Sequence, residues 1–406
     1  MRVEFLLCCG LLLWASCARG SDTVASAPGI SGAVVKTNPT KVYAHYLPWF
    51  ADEESSGNGD WGLHWTMANR DPDVVDEDGR RQIAAHYYPL IGPYSSSDPD
   101  LIEYHLLLMK LSGIDGVLID WYGAHDVFDY RPNKRNAEAL IDRFDEVGLE
   151  FGIVYEEFTA EHVAEAEVMG SAIEAAQVDL RYMQSEYFAH DRYIHIDGAP
   201  LLLAFGPRFF ETPDEWAQIF AGIDPQPHFL TLWHQAAAAG DWAAGEFAWV
   251  DRGHLEHLEA FYRDGVPQLG MAIGSAYPGF RDYYREGGWG DGLGWVVDHE
   301  DGATFAATLD RTDRSGVPFV QLVTWNDFGE GTMIEPTREF GFSLLAQVQA
   351  FTGVSFTVSD LELVYALYQA SKRHRGDDAI QEQLDQVFDY MVSLRLDEAA
   401  ALLEGF

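Results

Sequence analysis

Eight short apolar runs, most of them separated by segments with helical periodicity, constrain the fold of this chain more than any other feature. The runs are "VYAHYL" from Val42, "GVLIDW" from Gly116, "FGIVYE" from Phe151, "PLLLAF" from Pro200, "HFLTLWH" from His228, "EFAWV" from Glu246, "LGMAIGS" from Leu269 and "FVQLVTW" from Phe319. Several are apolar on consecutive residues instead of alternating, the pattern of parallel strands covered on both faces. Helical periodicity predicts helices over Asp100 to Leu111, Asn136 to Val147, Thr212 to Ala221, Leu255 to Arg263, Ala303 to Arg314 and Phe342 to Phe351. "TPDE" reads as a capping box, with Thr212 as N-cap, Pro213 at the first helical position and Glu215 at the third. Eight β-then-α units predict a (β/α)8 TIM barrel over residues 40–355. An open doubly wound sheet is the competitor, but no Gly-rich dinucleotide fingerprint follows the first strand.

Two segments flank the barrel. Residues 356–406 read as a small helical C-terminal appendage without chemistry, opened by a capping box at Ser359 and Glu362 and stopped at Gly376. At the other end, Arg2 precedes "FLLCCGLLLWA" and a run of small residues, so residues 1–20 read as a secretory signal and residues 21–39 as a linker. All three cysteines, Cys8, Cys9 and Cys17, fall in or beside that signal, which leaves no internal disulfide for the barrel. "LWASC" resembles a lipoprotein cleavage box with Cys17 as the lipidated residue, so plain secretion and a lipid anchor both stay open. Export is expected in either case, to a secreted, periplasmic or membrane-anchored location. Acidic residues outnumber basic ones by 65 to 26, and the net charge of -39 repels phosphate backbones and anionic membranes. Nucleic acid is excluded as a partner, and a monomer is expected. Polyanionic substrates are disfavoured too, unless a patch such as Arg131, Lys134 and Arg135 compensates.

In a barrel, the residues just past each strand converge on one face. Here they are His45, Tyr46 and Trp49; Asp120, Trp121 and Tyr122; Tyr155, Glu156 and Glu157; Trp233 and His234; Tyr277; and Trp325, Asn326, Asp327 and Glu330. Carboxylates alternate with aromatic faces, which suits a sugar: its hydroxyls take charged or amide partners while its C–H face packs on rings. One Trp at a strand end is commonly rim packing, but six or more aromatics on one face call for something to cover them. The connections Ala51 to Ser97 and Ala276 to Glu300 are long, rich in Trp, Tyr and Gly, and rise from the same face; the first carries His64 and Trp65. No H-E-x-x-H or paired-His spacing appears, so neither metal nor cofactor is expected.

The densest stretch is "TWNDFGEGTMIEP", Thr324 to Pro336. As a turn it accounts for Gly329 and Gly331 but not for Glu330 between them. As chemistry, Asp327 and Glu330 form the carboxyl pair that glycosidic cleavage uses, one protonated as acid and one ionised.

These motifs resemble glycoside hydrolase family 99, the endo-α-mannosidases, and the related family 71, the α-1,3-glucanases. The likeness to family 99 runs through "YAHYLPWF", the His64–Trp65 pair, "HYYPLIGPYSSSDPDLIEYHLLLMKLSGIDGVLIDWYG" and "WNDFGEGTMIEP". The resemblance implies a (β/α)8 barrel that cleaves an α-linked, mannan-like polysaccharide internally with retention, with an α-1,3-glucanase and a non-catalytic glycan-binding protein as alternatives. It implies Glu330 as acid and then base, and Asp327 as the group that assists attack by the sugar's own 2-hydroxyl. Family 99 resembles N-E-W-H-E-G here, so Asp327 is one methylene shorter than its counterpart, and "WNDFGEG" stands between this pattern and the WNDxGES of family 71. The resemblance also places Tyr46, Trp121 and Glu156 or Glu157 near sugar subsites. With these, the expected substrate contacts are His45, Tyr46, Trp49, His64, Trp65, Trp121, Tyr155, Glu156, Glu157, Trp233, Tyr277 and Asn326.

Overall fold

The computed structural model describes residues 32–57 and 59–406; the expected signal, with Cys8, Cys9 and Cys17, lies outside the described residues. Eight parallel strands form the centre: β1 (Lys41–Tyr46), β2 (Gly116–Trp121), β3 (Glu150–Tyr155), β4 (Ala199–Ala204), β5 (His228–Leu232), β6 (Ala243–Phe247), β7 (Met271–Ala276) and β8 (Phe319–Leu322). Each pairs with its sequence neighbour, and β8 pairs back onto β1, with Lys41 opposite Phe319 and Ala44 opposite Leu322. The sheet is closed, so the chain is a (β/α)8 barrel, and all eight expected strands are in it. One further pairing, His195–Ile196 against the start of β4, is a short antiparallel hairpin on the barrel's rim.

The pleat sorts each strand's residues between two cores. Tyr43, Leu118, Val154, Leu201, Leu203, Leu230, Phe247 and Ile273 pack together inside the barrel. Their neighbours Val42, Ala44, Val117, Ile119, Ile153 and Leu202 pack outward against the helices. Side chains alternate between faces, so parity decides which residue at a strand's end reaches the mouth.

The expected helices form with small changes of boundary. Pro99–Leu111 is capped by Asp98, whose carboxylate accepts from Asp100 N at 3.0 Å, and the Thr212–Glu215 capping box opens Pro213–Ile219. The helix expected over Asn136 to Val147 is two pieces, Tyr130–Ile141 and Phe144–Val147. Thr159–Glu165 and Ala172–Tyr182 fill the β3 to β4 connection without having been anticipated. The second carries a legible start signal, since Ser171 accepts from Glu174 N at 3.2 Å. At the C-terminus, the cap is Thr357 with Asp360, not Ser359 with Glu362; "TVSDLE" offers the spacing twice and the chain takes the earlier one. The three helices that follow, Val358–Arg373, Asp378–Val392 and Leu396–Leu403, bury Leu361, Val364, Leu384, Val387 and Met391 in the same core as Pro99–Leu111. Lys372 bridges from the first of them to Asp100 at 2.7 Å.

The long connections after β1 and β7 are knitted together above the mouth. Ala68 N donates to Gly287 O at 2.9 Å, Asn69 Nδ2 to Glu286 O at 2.8 Å, and Arg70 Nε to the Tyr283 hydroxyl at 2.8 Å. The "NDFGEG" turn locks onto the same wall, with Arg281 N donating to Glu330 O and Tyr283 N to Gly329 O, both at 2.8 Å. Among the described residues, no helix is long and apolar enough to cross a membrane.

Candidate active site

The stretch after β8 divides its polar residues between two tasks. Asn326 and Glu335 are structural. Asn326 accepts from Leu47 N at 2.9 Å and donates to Leu47 O at 3.0 Å and to the Tyr94 hydroxyl at 3.2 Å, which ties the end of β1 to this loop. Glu335 is buried and accepts from Tyr94 at 2.6 Å, with His105 at 3.4 Å. Asp327 and Glu330 are turned the other way. Asp327 N donates to Thr324 Oγ1 at 2.7 Å, and its carboxylate accepts from Glu330 N at 2.9 Å. The Tyr284 hydroxyl, from the β7 connection, donates to Glu330 Oε1 at 2.7 Å. Gly331 closes the turn at φ 66°, where a Cβ would lie 3.0 Å from Arg281 O, so glycine is the residue that fits.

Two further carboxyls rise from inward-facing positions of β2 and β3. Asp120 is 1% exposed, and Asp120 Oδ2 and Glu156 Oε2 are buried without a hydrogen-bond partner among the described residues. Burial, then the charges of Glu156 and Asp327, push Asp120 well above the usual carboxylate range. Burial likewise drives Glu156 to about 8, against the pull of Arg208 and with help from Glu157 and Glu330. Asp327 is raised well above its ordinary value by burial and then by Glu330; Glu330 is raised by burial while Tyr284 and Arg208 oppose it. The charge on Glu330 therefore bears on the protonation of Asp327.

The mouth has aromatic surfaces on two sides. On one, Trp49 stacks on His64 with centroids 4.1 Å apart and planes 3° from parallel, and with Tyr122, Tyr284 and Trp289 they line a cavity of about 140 Å³ that ends on Asp327 and Gly329. On the other, His45, Trp249 and Phe205 form a file, His45 to Trp249 at 4.7 Å and Trp249 to Phe205 at 4.8 Å, with the Arg208 guanidinium 4.5 Å over Phe205. Burial lowers His45 to about 3, so its ring is neutral and shares a 3.3 Å hydrogen bond with Gln321.

Of the expected substrate contacts, Trp49, His64 and Glu156 reach the mouth, and His45 reaches its floor. Tyr46, Trp121, Tyr155 and Glu157 do not, because they sit one residue out of phase with His45, Asp120 and Glu156 and face the helices. Tyr46 bonds His105 at 3.1 Å, Trp121 packs on Tyr182 and Tyr187, and Tyr155 donates to Asp179 at 2.7 Å. Glu157 is spent on the backbone N–H groups of Arg208, Phe209 and Phe210. Trp233 likewise lies on the outward side of β5 against Phe261, Tyr277 is buried beside His254, and Trp65 is buried under Tyr94, donating to its carbonyl at 2.7 Å. Asn326 is fully buried and both of its amide N–H groups are engaged, so it offers a sugar no donor.

Arg208, Phe205, Trp249, Tyr284 and Trp289 escape sequence reading, and of these only Phe205 and Trp249 lie inside the apolar runs, "PLLLAF" and "EFAWV". The basic patch considered above does not answer the acidity: Arg131 pairs with Asp126 at 3.0 Å and Lys134 with Glu138 at 2.7 Å. Arg208 is the exposed cation whose charge acts on Asp120, Glu156 and Glu330 together, and it pulls all three carboxyls down. Replacing it with Met removes that pull and lets the carboxyls climb further. The acid limb of the pH–activity profile is then expected to move to higher pH by about one unit, while Arg208→Lys leaves it in place. An unmoved limb in Arg208→Met would show that the guanidinium does not act on the reacting groups. Among the described residues, no group of three or more His, Cys, Asp or Glu is arranged to hold a metal ion.

Comparison with known proteins bears on the fold and on the family. The family model described as Glycosyl hydrolase family 99 matches residues 38–226, which takes in β1 to β4 and stops short of the Asp327 loop. A rat (Rattus norvegicus) glycoprotein endo-alpha-1,2-mannosidase is 30% identical over 87 residues, 20% of this chain and 19% of that protein. A zebrafish (Danio rerio) glycoprotein endo-alpha-1,2-mannosidase-like protein is 29% identical over 90 residues, 20% of each. The chain thus spans about a fifth of the length of the curated relatives it matches. The solved GH99 endo-alpha-mannosidase from Bacteroides thetaiotaomicron superposes with a TM-score of 0.59 at 18% identity, covering 81% of this chain and 99% of that one, a likeness of fold. On the family model, these relatives and the shared barrel, the chain is related to glycosyl hydrolase family 99.

Proposed function

We propose that this protein is an endo-acting glycoside hydrolase that cleaves a neutral, α-mannan-like polysaccharide with retention of configuration. The observation that carries the reading is the Asp327–Glu330 pair, steadied by Thr324 and Tyr284 at the rim of an aromatic cleft. Buried carboxyl oxygens on Asp120 and Glu156 that lack partners supply acceptors for sugar hydroxyls, while Trp49, Tyr122 and Trp289 supply faces for its C–H groups. The similarity to the rat endo-alpha-1,2-mannosidase and to the solved endo-alpha-mannosidase supports the same class of substrate.

In the first step, Glu330 gives its proton to the glycosidic oxygen as the bond to C1 breaks. Asp327 takes the proton of the 2-hydroxyl, whose oxygen closes onto C1 to form an anhydrosugar. In the second step, Glu330 takes a proton from water as the water oxygen adds to C1 and the C1–O2 bond of the anhydrosugar breaks, and Asp327 returns its proton to the departing 2-oxygen. Two inversions at C1 give net retention, and the protein forms no covalent bond, as in the substrate-assisted exceptions to two-carboxylate hydrolysis.

Product profiling by mass spectrometry on α-mannans and α-1,3-glucan tests the proposal. Internal oligosaccharides from mannan are the expected result. Release from α-1,3-glucan alone would replace the substrate, and binding to glycans without release from any polymer would make the protein a lectin on a hydrolase scaffold.

A further inference from the structure

A cavity larger than the cleft that ends on Asp327 lies beside it. It has a volume of about 440 Å³ and lies between the connections after β1 and β7, lined by His86, Arg281, Arg285, Glu286, Asp291 and Trp295 among others. That volume falls within the range of small-ligand pockets. We infer that it is a distal subsite, a second binding pocket that holds further sugar units of the same neutral polysaccharide whose cleavage is proposed above; the inference rests on that reading.

Three features support it. The first is the platform: the Trp295 indole stacks on Phe280 with centroids 3.9 Å apart and planes 22° from parallel, which fixes one face and leaves the ring half-buried at the cavity. A ring fixed on one side and accessible on the other is the surface on which a pyranose packs. The second is the polar lining. Arg281 is exposed and makes no ion pair among the described residues, in a chain whose acidic side chains outnumber its basic ones by 65 to 26. Asp282 is by contrast engaged, accepting from Tyr284 N at 3.2 Å and from Leu293 N at 3.0 Å, so it holds the wall in shape. Two arginines against Asp282, Glu286 and Asp291 leave the lining with no excess of positive charge. That mixture of donors and acceptors suits vicinal hydroxyls better than phosphate or sulfate.

The third feature is continuity with the cleft. Tyr284 lines the cleft and donates to Glu330, and the next residue, Arg285, lines the distal cavity. The cleft and the cavity are therefore separated by a single turn, Tyr284–Gly287, whose preceding residues are bonded to the backbone of Gly329 and Glu330. A glycan strand lying over that turn engages both, and the reacting carboxyls are held by the same segment that shapes the second pocket.

The test is a chain-length series of linear α-mannooligosaccharides compared between the native protein, Trp295→Ala and Arg281→Met. In the native protein, kcat/KM is expected to keep rising beyond the length that the cleft alone can hold. Each substitution is expected to flatten that late rise by about tenfold, through KM and not kcat, equivalent to about 1.4 kcal/mol of binding. Arg281→Met serves as the second variant because Trp295→Ala unstacks Phe280. An equal loss at every chain length, or a native profile that is flat beyond the cleft, would overturn the inference. Failure of the native protein to cleave any member of the series would instead strike the proposed function. As a readout independent of turnover, Glu330→Gln combined with Trp295→Ala should bind a long mannan about tenfold more weakly than Glu330→Gln alone, and equal affinity would also overturn the distal site.

Discussion

Glu330→Gln is expected to lower kcat on natural polysaccharide by about a thousandfold, and to spare substrates carrying a good leaving group by comparison. The carboxyl is the proposed proton donor to the departing oxygen, and a leaving group that departs readily needs little of that proton. The substitution is also mild for the fold. A glutamine oxygen still accepts from Tyr284, and the backbone bonds of residue 330 to Asp327 and to Arg281 N are untouched. Asp327→Asn should be severe on both kinds of substrate, because the proposed base acts on the sugar's 2-hydroxyl whatever leaves from C1. Kinetics on an aryl glycoside and on the polymer separate the two roles, and an equal loss on both substrates in Glu330→Gln would remove it as the acid.

The second large effect falls on two adjacent residues and carries opposite signs. Glu157 is buried and accepts from Phe209 N at 3.1 Å, from Phe210 N at 3.2 Å and from Arg208 N. Glu157→Ala leaves these N–H groups unpaired, which should cost roughly 3 kcal/mol of stability, seen as an earlier midpoint in denaturant. Glu156 faces the mouth, where burial raises its carboxyl from 4.5 to about 8. A raised carboxyl contributes stability that is fully present below pH 4.5 and is lost as pH rises through 8. Glu156→Gln has no charge to form, so at pH 8 it should be more stable than the native protein by roughly 2 kcal/mol, and at pH 4 equal to it. It should also lose activity, because an acceptor for sugar hydroxyls goes with it. Denaturation of both variants at the two pH values decides the matter. Similar behaviour of Glu156 and Glu157 would mean that the pleat does not divide them between mouth and helix layer.

That division marks where the sequence stopped being legible. The eight strands could be read because apolar runs bounded by turns survive in a parallel sheet whatever the facing of each residue. Facing itself could not be read from runs such as "GVLIDW" or "FGIVYE", where both sides of the sheet are apolar and the two-residue period is hidden. Tyr46, Trp121, Tyr155 and Glu157 were therefore grouped with His45, Asp120 and Glu156, and the structure separates the two sets. The Asp327 and Glu330 pair was legible for another reason: a carboxylate between two glycines is more than a turn requires. Arg208, Tyr284 and Trp289 gave no comparable signal, since each sits in a connection that the closed barrel brings to the mouth from far along the chain. Asn326 and Glu335 look as chemical in sequence as their neighbours, and only their partners Leu47 and Tyr94, more than two hundred residues away, show that they are fasteners.

Because β8 closes onto β1, the two longest insertions, after β7 and β1, and the loop after β8 rise from three consecutive strands. On the far side of the mouth, the chain runs only from Phe205 to Thr212 after β4, and from Trp233 to Gln235 after β5, before turning down into a helix. The rim is therefore high on one flank and low on the other, a ledge instead of a tunnel. On the proposed function, a long strand can be laid against such a ledge sideways, at any point along its length, and lifted off after the cut without a free end ever being threaded.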